Sequence, residues 1–200
     1  MITPHNPLYF SEKFSFPTPS VFVDRDGVIN KEVNLLHKME DFELIPGSLE
    51  AIKKLNDNNI PIIIISNQTV VARGMAFEEF VHEVNQKTID GLKAIGGKVD
   101  AVLYCPHSPK ADVEEYRDDC PWRKPKPGMI VDASAHLNLN ISKSWMVGDA
   151  ARDILAGQAA GTKTILVETG HSGQDELYDA KPDFVCADLA KAVELIVEKK

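Results

Sequence analysis

The sequence has few cysteines, three in 200 residues. An odd, small thiol count excludes a disulfide framework and leaves thiols or metal ligands. Nor is there an excess of positive charge: 22 Lys and Arg face 30 Asp and Glu, for a net charge of −8 and a pI near 5.2. An acidic chain repels a phosphate backbone, so nucleic acid is not an expected partner. Long apolar runs are missing as well. The longest, Ile60 to Ile65, is interrupted by Pro61 and falls far short of the roughly 20 residues that span a bilayer. The first twenty residues carry scattered Pro and Phe, without the basic start and apolar stretch of a secretion signal. These absences predict a soluble, cytoplasmic protein that docks on neither nucleic acid nor membrane.

What is present is enough apolar material, 44% of 200 residues, for one sizeable core. Val21 to Asp24, Pro61 to Ser66, Val99 to Cys105, Ser144 to Gly148 and Thr164 to Val167 read as buried strands, and their unbroken apolar character predicts parallel pairing. Between them, Phe77, Phe80, Val81, Val84, Thr88, Leu92 and Ile95 recur at helical steps, as do Leu49, Ile52 and Leu55. Further helices fit Met129 to Leu137, Asp153 to Ala160 and Leu189 to Glu198. Alternation of this kind predicts an α/β fold, a Rossmann-like three-layer sandwich with a mostly parallel sheet. Ligands of such sheets sit at the carboxyl ends of the strands. Residues 20–200 are expected to form one domain, with a proline-rich loop inserted at 105–127 and residues 1–19 as a loosely held arm.

Chemistry-bearing residues cluster at those strand ends. The first strand runs into Asp24-Arg25-Asp26-Gly27. Carboxylates so close repel, and a divalent cation relieves the repulsion; a hard, oxygen-rich site suits magnesium. Taken by itself the pair also fits an Asx-rich turn. Ser66-Asn67-Gln68 offers a hydroxyl and two amides, as a phosphoryl site or as helix caps. Arg123-Lys124-Pro125-Lys126 puts cations near the next helix, either solvated or reaching the site. Gly148-Asp149 adds a carboxylate at the metal edge, while Asp153 is better placed to cap or orient the following helix.

In this order, over roughly residues 20 to 170, these motifs resemble the haloacid dehalogenase-like superfamily. Ala72-Arg73-Gly74, Tyr104-Cys105-Pro106-His107 and Arg123 through Met129 are similar to its D-glycero-D-manno-heptose 1,7-bisphosphate 7-phosphatase and histidinol-phosphatase members, which have no large cap domain. The resemblance implies a phosphoric monoester hydrolase of surface-sugar or lipopolysaccharide biosynthesis. Asp24 would be the nucleophile and Asp26 the general acid and base. Magnesium would lie on Asp24, the Asp26 carbonyl and Asp149; Ser66 and Lys124 would hold phosphoryl oxygens. Glu32, Val33, Asn34, Leu35, Asn67, Gln68, Thr69 and Arg123 correspond to positions that read the rest of the substrate. The expected partner is a small phosphorylated metabolite, met by a monomer.

Two departures follow from the resemblance. The family's zinc loop takes the form Cys-x-His and then Cys-x-Cys, whereas this chain has Cys105-x-His107 and then Cys120-x-Trp122. Structural zinc takes four ligands, so three leave it weakened, completed by another group, or absent. The second departure is Ala150, where the heptose enzymes often carry a Lys that faces substrate. Best matched is heptose 1,7-bisphosphate, with histidinol phosphate as the alternative. From another class, a non-catalytic phospho-accepting switch also combines strand-end acids with a Lys; Asp26, which speeds turnover, speaks against it. Cys186 is expected in the core.

Overall fold

The computed structural model describes residues 7–174 and 178–200. The central sheet has seven strands: β1 (Leu8–Tyr9), β2 (Val21–Val23), β3 (Ile62–Asn67), β4 (Ala101–Cys105), β5 (Trp145–Gly148), β6 (Lys163–Val167) and β7 (Phe184–Cys186). Their spatial order is β1-β4-β3-β2-β5-β6-β7, parallel throughout except for β1. The fully buried β2, β4 and β5 show why those runs lack polar alternation: both faces are covered. The helices are α1 (Ser48–Asp57), α2 (Thr69–Ala72), α3 (Glu78–Ala94), α4 (Gly128–Leu137), α5 (Ala151–Ala160) and α6 (Leu189–Glu198).

Alternate strand residues point to opposite faces. Val21, Val23, Ile62, Ile64 and Val147 pack with α1, α3 and α6, whereas Phe22, Ile63, Ile65 and Met146 pack with α4 and α5. This is the expected three-layer α/β sandwich. None of the described helices is long and apolar enough to cross a membrane.

The edge strands β1 and β7 are too short for a period to show in sequence. Cys186, expected in the core, is half-buried on β7 against its margin. The larger correction concerns the arm. Residues 7–19 are not loosely held: Leu8 pairs with Val102 and Tyr9 with Ala101, and the Phe14 amide donates to the Leu137 carbonyl at 2.9 Å. The Tyr9 ring also stacks on His136, 3.8 Å between centroids. Pairing satisfies the open edge of β4, which exposed backbone donors and acceptors would otherwise leave bare.

The proline-rich loop after β4 is fastened to α3. Tyr116 Oη donates to Glu78 Oε1 at 2.9 Å, Tyr104 Oη donates to Glu78 Oε2, and His82 Nε2 lies 2.7 Å from Tyr104 Oη.

Candidate active site

Asp24 leaves the carboxyl end of the central strand β2, where the chain has β3 on one side and β5 on the other. That is the switch point of the sheet, where strand order reverses and a crevice opens. Its amide donates to the Val147 carbonyl at 3.0 Å, fixing the acid against β5. The chain then turns sharply at Gly27, whose φ is +80° and whose amide donates to the Asn30 carbonyl at 2.8 Å. A Cβ there would stand 2.2 Å from Asp149 Oδ2. Only glycine lets this turn close over the Asp149 carboxylate.

Lys124 is buried with its ammonium 2.9 Å from Asp24 Oδ2 and 2.6 Å from Asp153 Oδ1, and it donates to the Ile65 carbonyl at 3.2 Å. Asn67 grips the Lys124 backbone from both sides: its Nδ2 donates to the Lys124 carbonyl, and its Oδ1 accepts from the Lys124 amide, each at 3.0 Å. Asp153 holds the lysine with one oxygen and, with the other, accepts the Ala150 amide at the start of α5 at 3.1 Å. Ala150 is fully buried.

Asp24, Asp149 and Asp153 bring one carboxylate oxygen each within 4.8 Å of one another, all buried. Lys124 is the one ammonium in ion-pair contact with Asp24 and Asp153 among the described residues. Burial first, then the Asp153 and Asp26 charges, push Asp24 up to about 7 against the opposing pull of Lys124. Burial and the charges of Asp153 and Asp24 push Asp149 up to about 8. Asp149 Oδ2 accepts the His171 amide at 2.7 Å, but its buried Oδ1 has no hydrogen-bond partner among the described residues. Surplus negative charge with an orphaned carboxylate oxygen is the donor set that a hard divalent cation such as magnesium fits.

Asp26 is treated differently. Burial alone would raise its carboxyl, yet the Arg25 guanidinium and the amides of Asn30 and Gln68 outweigh that and hold it below the usual carboxylate range. Arg25 Nη2 donates to Asp26 Oδ2 at 2.9 Å, Asn30 Nδ2 to Oδ1 at 2.9 Å and Gln68 Nε2 to Oδ2 at 2.8 Å. Arg25 is in turn oriented by Asn85 on α3, at 2.9 Å.

Above the acids lies a pocket of about 250 Å³. Of the residues named from sequence, Asp24, Asp26, Glu32, Asn34, Leu35, Asn67, Gln68, Thr69, Arg123 and Lys124 form its walls. Arg123 Nη1 is braced by the Thr69 hydroxyl at 3.1 Å and the His107 carbonyl at 2.8 Å. Ser66 is buried beneath the pocket, with its hydroxyl accepting from Gln68 Nε2 at 3.2 Å. Val33 is outside it and exposed, because the left-handed Asn34 and Leu35, at φ 52° and 75°, fold their own side chains to the pocket and leave Val33 facing solvent. Two adjacent non-glycine residues at positive φ mark stored backbone strain at the pocket lip.

The comparisons with known proteins agree with this architecture. A family model described as HAD-hydrolase-like matches residues 121–192. A D-glycero-D-manno-heptose-1,7-bisphosphate 7-phosphatase of Thermosynechococcus vestitus is 40% identical over 188 residues, 90% of this chain and 96% of the relative. This chain belongs to that phosphatase family, within the haloacid dehalogenase-like hydrolases. A further member, the D-glycero-beta-D-manno-heptose-1,7-bisphosphate 7-phosphatase of Escherichia coli, is 38% identical over 181 residues, 88% of this chain and 93% of its own. A crystal structure of the D,D-heptose 1,7-bisphosphate phosphatase of B. bronchiseptica with magnesium and phosphate superposes with a TM-score of 0.80 at 31% identity, covering 92% of this chain and all of that one.

Five pocket residues of the phosphatase escaped sequence reasoning: the apolar Leu36 and Val70, and Arg152, His171 and Tyr178. Arg152 lies one residue into α5 and reads there as an ordinary helix position. His171 follows β6, and the strand-end rule that found the other clusters applies to that strand equally. Its Nε2 lies 3.6 Å from Glu32 Oε2 on the opposite lip. Tyr178 lies in an aperiodic stretch with no local signal.

The phosphatase's loop thiols do converge. Cys105, His107 and Cys120 bring their donor atoms within 4.8 Å, fully buried. The hydrogen bond with Cys120, and then burial, push the Cys105 thiol up. Trp122, in the place of a fourth ligand, turns its indole away to donate to Asp132 Oδ2 at 2.5 Å. Softness fits zinc; the ligand count does not close a structural site.

Proposed function

We propose that this enzyme removes the 7-phosphate of D-glycero-D-manno-heptose 1,7-bisphosphate in the cytoplasm, on the way to a surface sugar. The observation that carries the reading is the buried Asp24 carboxylate at the switch point, paired to Lys124 at 2.9 Å beside the orphaned Asp149 Oδ1, in a chain 40% identical to an enzyme of that name. Asp24 attacks phosphorus, forming an aspartyl phosphate as the bond from phosphorus to the sugar oxygen breaks. Asp26 gives the leaving oxygen its proton; water then attacks phosphorus, Asp26 takes back a proton, and Asp24 is freed. Splitting one displacement into two lowers each barrier.

Lys124 and Ser66 line up with the phosphoryl oxygens, and Asp153 keeps the lysine in place. A magnesium ion held by Asp24, the Asp26 carbonyl and Asp149 supplies neutralisation of the charge passed between oxygens. Asp26 is ionised at rest through Arg25, Asn30 and Gln68; the phosphoryl charge arriving beside it draws a proton onto it from solvent, which it gives to the leaving oxygen before serving as base in the second step. Arg123 and the new wall residues Arg152 and His171 receive the remainder of the substrate. Zinc on Cys105, His107 and Cys120 is an accessory to this function, since the Glu78 and Asp132 contacts hold the loop through protein groups.

Phosphate release from both heptose bisphosphate anomers, histidinol phosphate and other sugar phosphates tests the reading. Preference for a heptose bisphosphate by about tenfold or more in kcat/KM is expected; a greater preference for histidinol phosphate would overturn the substrate assignment and leave the chemical step standing.

A further inference from the structure

A second cavity, of about 320 Å³, lies at the opposite end of the sheet, under the amino-terminal ends of β5 and β6. Trp145 opens β5 at this cavity and Gly148 closes it next to Asp149, so the two sites are separated by roughly 13 Å of strand. Nothing in the catalytic reading uses it. Its floor is apolar, built from the buried Ile60, Trp145 and Ile196. Its rim carries four ammonium groups, Lys143, Lys163, Lys199 and Lys200.

Such a cluster is out of character for a chain of net charge −8. Like charges gathered at one opening repel and cost stability unless a counterion relieves them. Among the described residues none of the four lysines makes an ion pair with a side-chain carboxylate. Their partners are neutral: Lys163 Nζ stands 4.8 Å over the Trp145 ring, Lys199 Nζ 5.1 Å over Phe184, and Lys200 donates to the Asn58 carbonyl. The carboxyl end of α6 accounts for Lys199 and Lys200, whose charges complement the helix dipole. It does not account for Lys143, which ends the short 3-10 turn Ile141–Lys143, or for Lys163, which opens β6.

We propose that this cavity is a second binding site, for a small molecule with an anionic head, carboxylate, sulfonate or phosphoryl, on an apolar body. The lysines take the head and the Ile60, Trp145 and Ile196 floor takes the body. Its volume sits at the small end of ligand pockets, so the ligand is metabolite-sized.

The probe is 8-anilinonaphthalene-1-sulfonate, which has this chemistry and carries no phosphate ester for the active site to cleave. Its fluorescence is expected to rise saturably. A Lys143→Glu/Lys163→Glu double variant should weaken binding about tenfold or more, and N-phenyl-1-naphthylamine, which lacks the sulfonate, should bind wild type about tenfold more weakly. Unsaturable binding, equal binding of the neutral analogue, or undiminished binding by the double variant overturns the proposal. The variant's phosphatase activity and melting temperature report its fold. Should it melt early, Lys143→Gln/Lys163→Gln replaces it, with a weakening of about threefold or more expected and an unchanged affinity equally fatal.

Discussion

Lys124 and Asp24 form a buried ion pair, Nζ to Oδ2 at 2.9 Å, between residues a hundred positions apart in sequence. Burial of such a pair is costly unless every member is satisfied. Here Asp153, the Ile65 carbonyl and the Asn67 clasp complete the lysine, so the site is set before substrate arrives. Asp24→Asn keeps the shape and removes the nucleophilic oxygen. Turnover by the purified variant should fall at least about 10³-fold, and near-normal phosphate release would refute Asp24 as the nucleophile.

Asp153 does not itself line the pocket and acts through Lys124, which does. Asp153→Asn should lower kcat about 10- to 100-fold, because one preorganised donor to developing charge is loosened rather than lost. KM for the same ester should change much less; a rise in KM with kcat intact would show that Asp153 serves binding instead.

Folded Asp24 and Asp149 titrate near 7 and 8, above the ordinary value of 3.8. Between those values the folded chain holds protons that the unfolded chain has released. The stability these acids contribute is therefore present at low pH and lost as pH rises through 7 to 8. Magnesium favours the ionised acids and opposes that loss. Thermal melts in chelator should show a lower melting temperature at about pH 9 than at about pH 6, with magnesium restoring more at the higher pH. A magnesium effect equal at both would contradict the assignment of these carboxylates as its ligands.

Arg152 shares the pocket with Arg123. Arg152→Ala should raise KM for a sugar bisphosphate about 10- to 100-fold, the worth of a charge-assisted hydrogen bond, while a generic aryl phosphate, lacking the second anionic group, is cleaved as before. Equal losses on both substrates would place Arg152 in the phosphoryl site itself.

The loop should hold its fold without zinc. Removing bound metal with a strong chelator and restoring magnesium alone should return full activity, with the melting temperature shifted by less than about 2 °C. Trp122 and the Glu78 bridge are the reason. A collapse of either measure, with zinc near one equivalent in the untreated protein, would show that three ligands suffice.

Sequence by itself determined the layers, the parallel sheet and the acids at the strand ends, since a buried strand must be apolar over its whole length and its carboxyl end must be polar to do chemistry. Asp24, Asp26 and Asp149 were legible in that way; Lys124, in the loop before α4, was singled out by the family resemblance. What only the tertiary structure decided are relationships between distant residues. The edge pairing of residues 7–19, the outward turn of Val33, the entry of Arg152 and His171 into the pocket and the gathering of four lysines beneath the sheet depend on how elements pack. The Arg25 guanidinium and its hold on Asp26 belong there too. Local periodicity records which face of an element is buried; it carries no record of which other element buries it.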